Sequence, residues 1–223
     1  MASPPISDQI AEFNVGFTAQ IGPTLSAVFD REQSHLRDAG VPSDAIVVGA
    51  TVPNETLLDV HGVELTLSAV LNGRRGVLVF YRGAWCPYCN IALRTYQREL
   101  LPELDLATTA LVAISPQTAE GSQSIIEGAE LGFPALSDPG NALVRALGIQ
   151  TEPSAEARAA HTELGFDVAD SNADATADIP YPTIVIVDAD RVVQFIDVHV
   201  DYTSRTEVAA ILAQLARTAS VAA

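Results

Sequence analysis

The stretch Val77-Leu-Val-Phe-Tyr-Arg-Gly-Ala-Trp-Cys-Pro-Tyr-Cys-Asn90 decides the fold of this chain. Its first five residues form a short apolar run that is typical of a buried strand. Gly83 and Ala84 leave room for a tight turn, and Pro87 fits the first position of a helix, where its missing N–H is harmless. The order strand, turn, helix predicts an α/β fold with a functional site at the carboxyl end of the strand.

The two cysteines of the chain, Cys86 and Cys89, lie three residues apart at the start of this predicted helix. A helix N-terminus offers unpaired backbone N–H groups and the positive end of the helix dipole, and both stabilise a thiolate. We therefore expect Cys86 to be the reactive sulfur and Cys89 to resolve it. A redox-active thiol pair is the leading hypothesis.

Other readings of the cysteine pair fit the sequence less well. A zinc site needs two further ligands, but no third cysteine exists and the four histidines are scattered along the chain. Haem attachment needs a histidine after the second cysteine, where the chain has Asn90. An inert pair of buried cysteines stays open as an alternative. We expect no metal and no other cofactor.

The composition excludes several classes of partner. A net charge of −16 argues against nucleic acids and anionic membrane surfaces, because both require a basic footprint. The sequence has no signal-like leader, and no apolar stretch approaches the roughly 18 residues of a membrane span. We expect a cytoplasmic protein, in which a lone Cys-x-x-Cys is more often catalytic than structural.

The basic residues are twelve arginines and no lysine, and five of the arginines fall between positions 74 and 98. Arg82 is the best candidate for stabilising a thiolate or attracting an anionic substrate, because it lies four residues before the first cysteine. Arg94 lies farther along the predicted helix. Arg74, Arg75 and Arg98 are interpreted as solvated ends of a strand and a helix.

Hydrophobic periodicity predicts a mixed central sheet flanked by helices. An apolar helical arm, interrupted at Gly22-Pro23, is predicted over residues 1–44, before an α/β domain of residues 45–217 and a frayed tail of residues 218–223. Residues 151–179 are rich in alanine and aspartate, and they predict an inserted helix and loop before a late hairpin.

The order of elements is thioredoxin-like, and residues 80–90 resemble the peroxiredoxin-like branch of the alkyl hydroperoxide reductase and thiol-specific antioxidant family. The resemblance covers roughly residues 45–217. Further segments that resemble the family are Gly49–Pro53, Ser137–Pro139, Ile179–Thr183 and Asp201–Arg205.

The resemblance implies a thiol-dependent peroxidase that reduces hydrogen peroxide or organic hydroperoxides and is regenerated by thioredoxin or glutathione. Two positions depart from ordinary peroxiredoxins. The threonine expected three residues before the first cysteine is Gly83, and the arginine expected two residues before Thr183 is Tyr181. Arg82 or Arg205 would have to supply the missing electrostatic help, although Arg205 can also be read as part of a helix cap.

A thiol-disulfide oxidoreductase acting on protein or glutathione disulfides is the alternative. Cys-Pro-Tyr-Cys is the glutaredoxin sequence, and Pro182 resembles the cis-proline that thioredoxins and glutaredoxins set against their cysteines. We therefore expect a cis Tyr181–Pro182 bond, with an ordinary trans proline at a strand start as the other reading. Trp85 and Tyr88 would form the rim of the site with either activity.

A third hypothesis is a non-catalytic module that senses oxidation or mediates association. Its apolar N-terminal helices would then be the arm of a homodimer. The pKa of Cys86 separates this hypothesis from the enzymes, because an idle cysteine would keep a pKa near that of free cysteine.

Overall fold

A computed structural model describes residues 3–219, and nine strands and eight α-helices lie within them. The strands are β1 (Thr56–Leu58), β2 (Glu64–Thr66), β3 (Arg75–Phe80), β4 (Thr109–Ser115), β5 (Ala135–Ser137), β6 (Gln150–Thr151), β7 (Ile179–Pro180), β8 (Thr183–Val187) and β9 (Val193–Val198). The helices are α1 (Ile6–Ala39), α2 (Leu67–Leu71), α3 (Pro87–Thr95), α4 (Ala119–Ala129), α5 (Ala142–Ala146), α6 (Ala155–Glu163), α7 (Val168–Ser171) and α8 (Val208–Ala219).

Seven strands form one mixed sheet in the order β2-β1-β5-β4-β3-β8-β9, and β6 pairs with β7 in a separate ribbon. The central strands β3, β4 and β5 are parallel, whereas β8 runs antiparallel to β3 and β9 antiparallel to β8. Helices pack on both faces of the sheet, so the predicted mixed sheet flanked by helices is confirmed. Because β3 lies between β4 and β8, the loop that follows it leaves the middle of the sheet.

The apolar run of β3 is buried on both faces. Val77 and Val79 belong to the core layer that contains both cysteines, and Leu78 and Phe80 belong to the layer on the opposite face. This alternation follows from the period of two in a strand, and burial of both faces explains why the run is continuously apolar. The cysteine helix α3 continues through a π-helical turn (Tyr96–Leu100) and a 3-10 turn (Leu101–Glu103).

Helix α1 is the predicted N-terminal arm, and it bends at Gly22. The backbone of Gly22 has φ 77° and ψ 170°, a conformation that favours glycine, and Pro23 follows it inside the helix. The arm contacts α3 and α6. No helix within residues 3–219 is long and apolar enough to cross a membrane.

The predicted insert contains α6 and α7 and is closed at its base by the β6–β7 ribbon. It is joined to the arm, because the backbone N–H of Ser154 donates to the buried carboxylate of Glu32 at 3.0 Å. At the other end of the chain α8 runs through Ala219, two residues beyond the predicted helix end at Arg217. The rest of the predicted tail, residues 220–223, lies outside the described residues.

The Tyr181–Pro182 bond is trans, so the predicted cis bond is wrong. The chain runs extended from β7 into β8, because the Tyr181 N–H donates to the carbonyl of Ile149 at 2.8 Å and the His199 N–H donates to the carbonyl of Pro182 at 2.9 Å. Pro182 immediately precedes β8, where its missing N–H removes no bond from the sheet.

Glu207 caps the start of α1 across about two hundred residues of sequence. Its two carboxylate oxygens accept from the N–H groups of Ile6 and Ser7, each at 2.9 Å. We expect Glu207→Ala to lower the free energy of unfolding by about 1–2 kcal/mol, since two helix N-terminal amides lose their acceptor and the dipole loses a negative charge. Hydrogen exchange in the first turn of α1 should also accelerate. Glu12→Ala, on an exposed position of the same helix, is the control, and equal exchange in both variants would contradict the capping role.

Candidate active site

The loop between β3 and α3 places Cys86 at the N-cap of the helix. Cys86 has extended backbone angles, φ −85° and ψ 112°, and Pro87 opens the helix as predicted. Two side chains hold the peptide groups of Ala84 in this loop. The N–H of Ala84 donates to Gln117 Oε1 at 2.8 Å, and its carbonyl accepts from Asn90 Nδ2 at 2.9 Å. Neither Gln117 nor Asn90 was predicted as a site residue.

The guanidinium of Arg205 lies against both sulfurs. Its Nη2 is 3.1 Å from Cys89 Sγ and 3.8 Å from Cys86 Sγ. Its Nη1 donates to the carbonyls of Tyr202 and Ser204, both at 2.6 Å, which fixes the orientation of the group. The structure thus places the Arg205 side chain at the cysteines and bonds it to the loop before α8.

The two thiols share one negative charge. Burial raises the pKa of a thiol, but a hydrogen bond from Cys86 and the charges of Arg205 and Arg82 outweigh this at Cys89, whose pKa is lowered to about 5. Burial and the neighbouring Cys89 raise the pKa of Cys86. The pair therefore carries one thiolate with a proton between the sulfurs. The sequence argument put the thiolate on Cys86, whereas the hydrogen bond from Cys86 and the nearer guanidinium of Arg205 favour the thiolate on Cys89.

Arg82 is the second cation of the site, and it is held by aromatic rings. Its Cζ lies 4.2 Å from the ring centre of Tyr202 and 4.9 Å from that of Trp85, and the residue is only 5% exposed. Such stacking stabilises a desolvated guanidinium. The charge of Arg82 lowers the pKa of both cysteines.

Three other arginines of the predicted cationic patch bond elsewhere. Arg74 donates to two carbonyls at the end of α2 and to the carbonyl of Leu106. Arg75 donates to Thr109 and to the carbonyl of Leu215, and Arg94 donates to the carbonyl of Gly128. The Arg98 side chain is on an exposed position. Of the five arginines in the predicted patch, Arg82 is therefore the one that lies at the thiols. The other four bond to the backbone elsewhere or lie on the surface.

Trp85 explains why glycine stands at position 83. Gly83 has φ 151°, and a Cβ there would run into the indole ring of Trp85, whose Cδ1 would be only 2.8 Å away. A threonine at this position would displace Trp85. The indole also packs on Phe166, with ring centres 5.3 Å apart. The glycine at position 83, where ordinary peroxiredoxins have threonine, therefore goes together with the packing of Trp85.

The remaining predicted site residues are Tyr88, Pro182 and Tyr181. Tyr88 ties α3 to the arm, because its hydroxyl donates to Asn14 Oδ1 at 2.8 Å and its ring meets Phe13 edge-on at 5.6 Å. Pro182 lines a small cavity of about 10 Å³ together with Cys89. Tyr181 lines another small cavity together with Arg82 and Pro182.

A larger cavity of about 360 Å³ lies over Cys86, and the predicted site residues Arg82, Trp85, Pro87 and Tyr88 line it. Sequence reasoning missed the wall residues that the arm and the insert contribute. His161 is one of them, stacked on Phe166 at 4.9 Å and on Phe29 at 5.3 Å. Burial, and then the charge of Arg82, lowers the pKa of His161 to about 4, so the ring is neutral at pH 7. No motif marks these residues, because they come from the arm and the insert, far from the cysteines in sequence. Within residues 3–219, no group of three or more His, Cys, Asp or Glu side chains could hold a metal ion.

The sequence model of the AhpC/TSA family matches residues 48–196, about two thirds of the chain. The chain belongs to the AhpC/TSA family. The matched part contains both cysteines, Arg82 and the insert, whereas the arm and Arg205 lie outside it. No curated protein matches the chain.

Solved structures show the same fold at low sequence identity. The complex of reduced Prx3 from Vibrio vulnificus with hydrogen peroxide has a TM-score of 0.60 and 22% identity, over 76% of this chain and 99% of the other. Peroxidoxin BcpB from Mycobacterium tuberculosis has a TM-score of 0.57 and 22% identity, over 76% and 96%. Thiol peroxidase from Chromobacterium violaceum has a TM-score of 0.59 and 16% identity, over 81% and 91%. The thioredoxin-like fold class predicted for this AhpC/TSA-family chain is confirmed.

The position of Arg205 predicts the titration of the thiol pair. We expect thiolate absorbance in the ultraviolet to appear with an apparent pKa near 5, and Arg205→Gln to shift it upward toward the range of free cysteine, since the variant loses the nearest positive charge. Arg98→Gln removes the same charge from an exposed position and should leave the titration unchanged. An unaltered pKa in Arg205→Gln would exclude the electrostatic role of Arg205.

His161 predicts a loss of stability in acid. The unfolded chain takes up a proton on this residue near pH 6.5, but the folded protein does so only near pH 4, so stability falls as the pH decreases through that interval. His161→Phe keeps an aromatic ring in the stack and should reduce the loss between pH 7 and pH 5 by about 1–2 kcal/mol. Chemical denaturation at both pH values measures it. His35→Phe, at an exposed position on α1, is the control, and an equal pH response in both variants would contradict the role of His161.

Proposed function

We propose that this AhpC/TSA-family chain is a thiol-dependent peroxidase in which Cys86 attacks the hydroperoxide and Cys89 resolves the product. The observation that carries the assignment is the single guanidinium of Arg205, which reaches both sulfurs of a Cys-x-x-Cys pair. Cys86 is given the attacking role because it lines the larger cavity, whereas Cys89 lines only the small one behind it.

In the first step the shared proton moves to Cys89, and the Cys86 thiolate attacks the terminal oxygen of the hydroperoxide. The O–O bond breaks, Cys86 becomes a sulfenic acid, and an alkoxide or hydroxide leaves. This leaving group takes the proton from Cys89. Sulfur is thereby oxidised by two electrons and the hydroperoxide is reduced to an alcohol or water.

In the second step the regenerated Cys89 thiolate attacks Cys86 and displaces hydroxide, which leaves a disulfide within the pair. Arg205 favours this step because it stabilises the thiolate on either sulfur. An external thiol such as thioredoxin or glutathione then reduces the disulfide. A reducing cytoplasm would supply that thiol, and this localisation is part of the proposal.

The two cations Arg205 and Arg82 are proposed to replace the threonine and arginine of ordinary peroxiredoxins. Arg205 stabilises the thiolate, and Arg82, which lines the larger cavity beside Cys86, is placed to stabilise the developing charge on the leaving oxygen. Trp85 and Tyr88 form the rim, with Pro87 beneath it. The proposed catalytic domain is residues 45–217, and the described part of the arm, residues 3–44, supplies part of the cavity wall.

Disulfide exchange is the second candidate, supported by the Cys-Pro-Tyr-Cys sequence and by the position of Pro182 beside Cys89. Cys86 lines the larger cavity, which has room for a small hydroperoxide beside the sulfur, and this favours the peroxidase. The lowered pKa of Cys89 argues against the non-catalytic sensing module, because an idle thiol would keep an ordinary pKa. In that hypothesis the half-exposed face of α1 would form the homodimer contact.

The test is stopped-flow fluorescence of Trp85, the single tryptophan, after the reduced protein is mixed with a hydroperoxide or with oxidised glutathione. We use hydrogen peroxide and tert-butyl hydroperoxide. We expect rapid oxidation by hydroperoxide and slow reaction with the disulfide, because the site activates a thiolate beside Arg82.

Cys86→Ser should abolish hydroperoxide consumption, whereas Cys89→Ser should consume one equivalent and accumulate a sulfenic acid that a dimedone probe captures. Rapid exchange with oxidised glutathione, together with hydroperoxide rates no higher than those of free thiols, would instead establish the oxidoreductase. Consumption retained in Cys86→Ser would reverse the roles of the two cysteines.

A further inference from the structure

One histidine, His199, ties the loop that carries Arg205 to the end of β9. Its ring nitrogen Nδ1 lies 2.7 Å from Ser204 Oγ. Its other ring nitrogen, Nε2, lies 3.1 Å from both Asp197 Oδ2 and Thr206 Oγ1. The side chain of His199 is only 17% exposed. We call these four residues, Asp197, His199, Ser204 and Thr206, the His199 cluster.

The oxygen atoms of the His199 cluster face the ring as hydrogen-bond acceptors. The Ser204 hydroxyl donates to the carbonyl of Asp201 at 2.9 Å. The Thr206 hydroxyl donates to Asp197 Oδ2 at 2.8 Å. A hydroxyl has one hydrogen to donate, so both hydroxyls turn lone pairs toward His199. Each ring nitrogen must therefore donate, as both nitrogens of a doubly protonated imidazole do. A ring with a single N–H would leave one of these contacts without a hydrogen.

The two hydroxyl residues that contact the ring are the chain neighbours of Arg205 on either side. The carbonyl of Ser204 accepts from Arg205 Nη1 at 2.6 Å. The carbonyl of Thr206 accepts from the buried hydroxyl of Tyr96 at 2.7 Å. His199 thus holds the backbone both before and after the arginine. A long side chain keeps a productive position only when its supporting residues are themselves fixed, and the ring supplies that support.

The groups around the ring come from β9, from the loop and from the cysteine helix. Asp197 of β9 is negative, and the hydrogen bond from His199 lowers the pKa of its carboxyl. Arg205 and Cys89 line the same small cavity of about 10 Å³ as His199. Tyr96 also lines it, and burial raises the pKa of this phenol, which is therefore neutral. The ring thus faces Asp197 as its negative partner, whereas Arg205 faces the thiol pair.

We infer that His199 is a positioning residue of the proposed peroxidase and that it acts through Arg205. By holding Ser204 and Thr206, the ring fixes the turn from which the guanidinium reaches both sulfurs. Without the ring the turn loses a contact on each side of the arginine, and the guanidinium stabilises the thiolate less. The role in catalysis rests on the proposed function, whereas the effect on the thiol pair can be measured without any hydroperoxide.

The test is a double-mutant cycle on the thiolate titration of the reduced protein, followed by ultraviolet absorbance. We expect His199→Gln to raise the apparent pKa of the thiol pair above about 5, by part of the shift that Arg205→Gln causes. Adding His199→Gln to Arg205→Gln should cause no further shift, because the ring acts through the arginine. His61→Gln, at an exposed position between β1 and β2, is the matched control and should leave the titration unchanged.

A second variant tests the same support from the other side of the contact. Ser204→Ala removes the hydroxyl that His199 Nδ1 contacts but keeps the carbonyl that accepts from Arg205, and position 204 is exposed. It should raise the apparent pKa in the same direction, and it decides the question if His199→Gln folds poorly. At pH 5.5, His199→Gln should also slow oxidation by tert-butyl hydroperoxide by about threefold, since less thiolate is present.

An unchanged titration in folded His199→Gln would overturn the inference, as would an unchanged titration in Ser204→Ala if the first variant does not fold. A full further shift when His199→Gln is added to Arg205→Gln would also overturn it, because the ring would then act on the sulfurs without the arginine. If the wild-type protein consumed no hydroperoxide, the proposed function would fail. The titration would still report whether His199 positions Arg205.

Discussion

One partly buried positive charge, the guanidinium of Arg205, sets what the cysteine pair can do. Two thiols without exposed surface would both stay neutral, since a low dielectric disfavours the thiolate. Arg205 touches both sulfurs and is itself fixed by two backbone carbonyls, so it offers one charge to the pair without having to reorganise. The site therefore holds one thiolate, whose negative charge can lie on either sulfur. Because the charge can move, Cys86 can attack the hydroperoxide and Cys89 can resolve the product.

The fold brings this charge to the cysteines from the far end of the chain, and several tertiary contacts tie the same loop to the arm. Arg37 of α1 pairs with Asp201 at 3.0 Å, and Glu207 caps the first turn of α1. Glu32 of α1 accepts from Ser154 in the insert. Because these links connect the wall of the cavity to the loop that positions the cation, the arm is part of the proposed site, although it lies outside the matched family region.

The same packing accounts for one departure from the ordinary peroxiredoxin pattern. Gly83 leaves room for the Trp85 indole, and that indole helps to hold Arg82 in a ring sandwich. Burial and the charge of Arg82 lower the pKa of His161, so its ring is neutral and the cavity keeps its apolar character. The threonine is thus absent because the Trp85 indole occupies the space beside Gly83.

Local periodicity, glycine and proline were enough to predict the mixed α/β sheet, the strand-turn-helix placement of the cysteine pair, and the bend of the arm at Gly22. The sequence also marked Arg82 and Arg205 as candidates. Three features required the folded structure: Arg205 lies nearer Cys89, the Tyr181–Pro182 bond is trans, and an aromatic cavity covers Cys86. These depend on contacts between segments that lie apart in the sequence, whose distances no local pattern encodes.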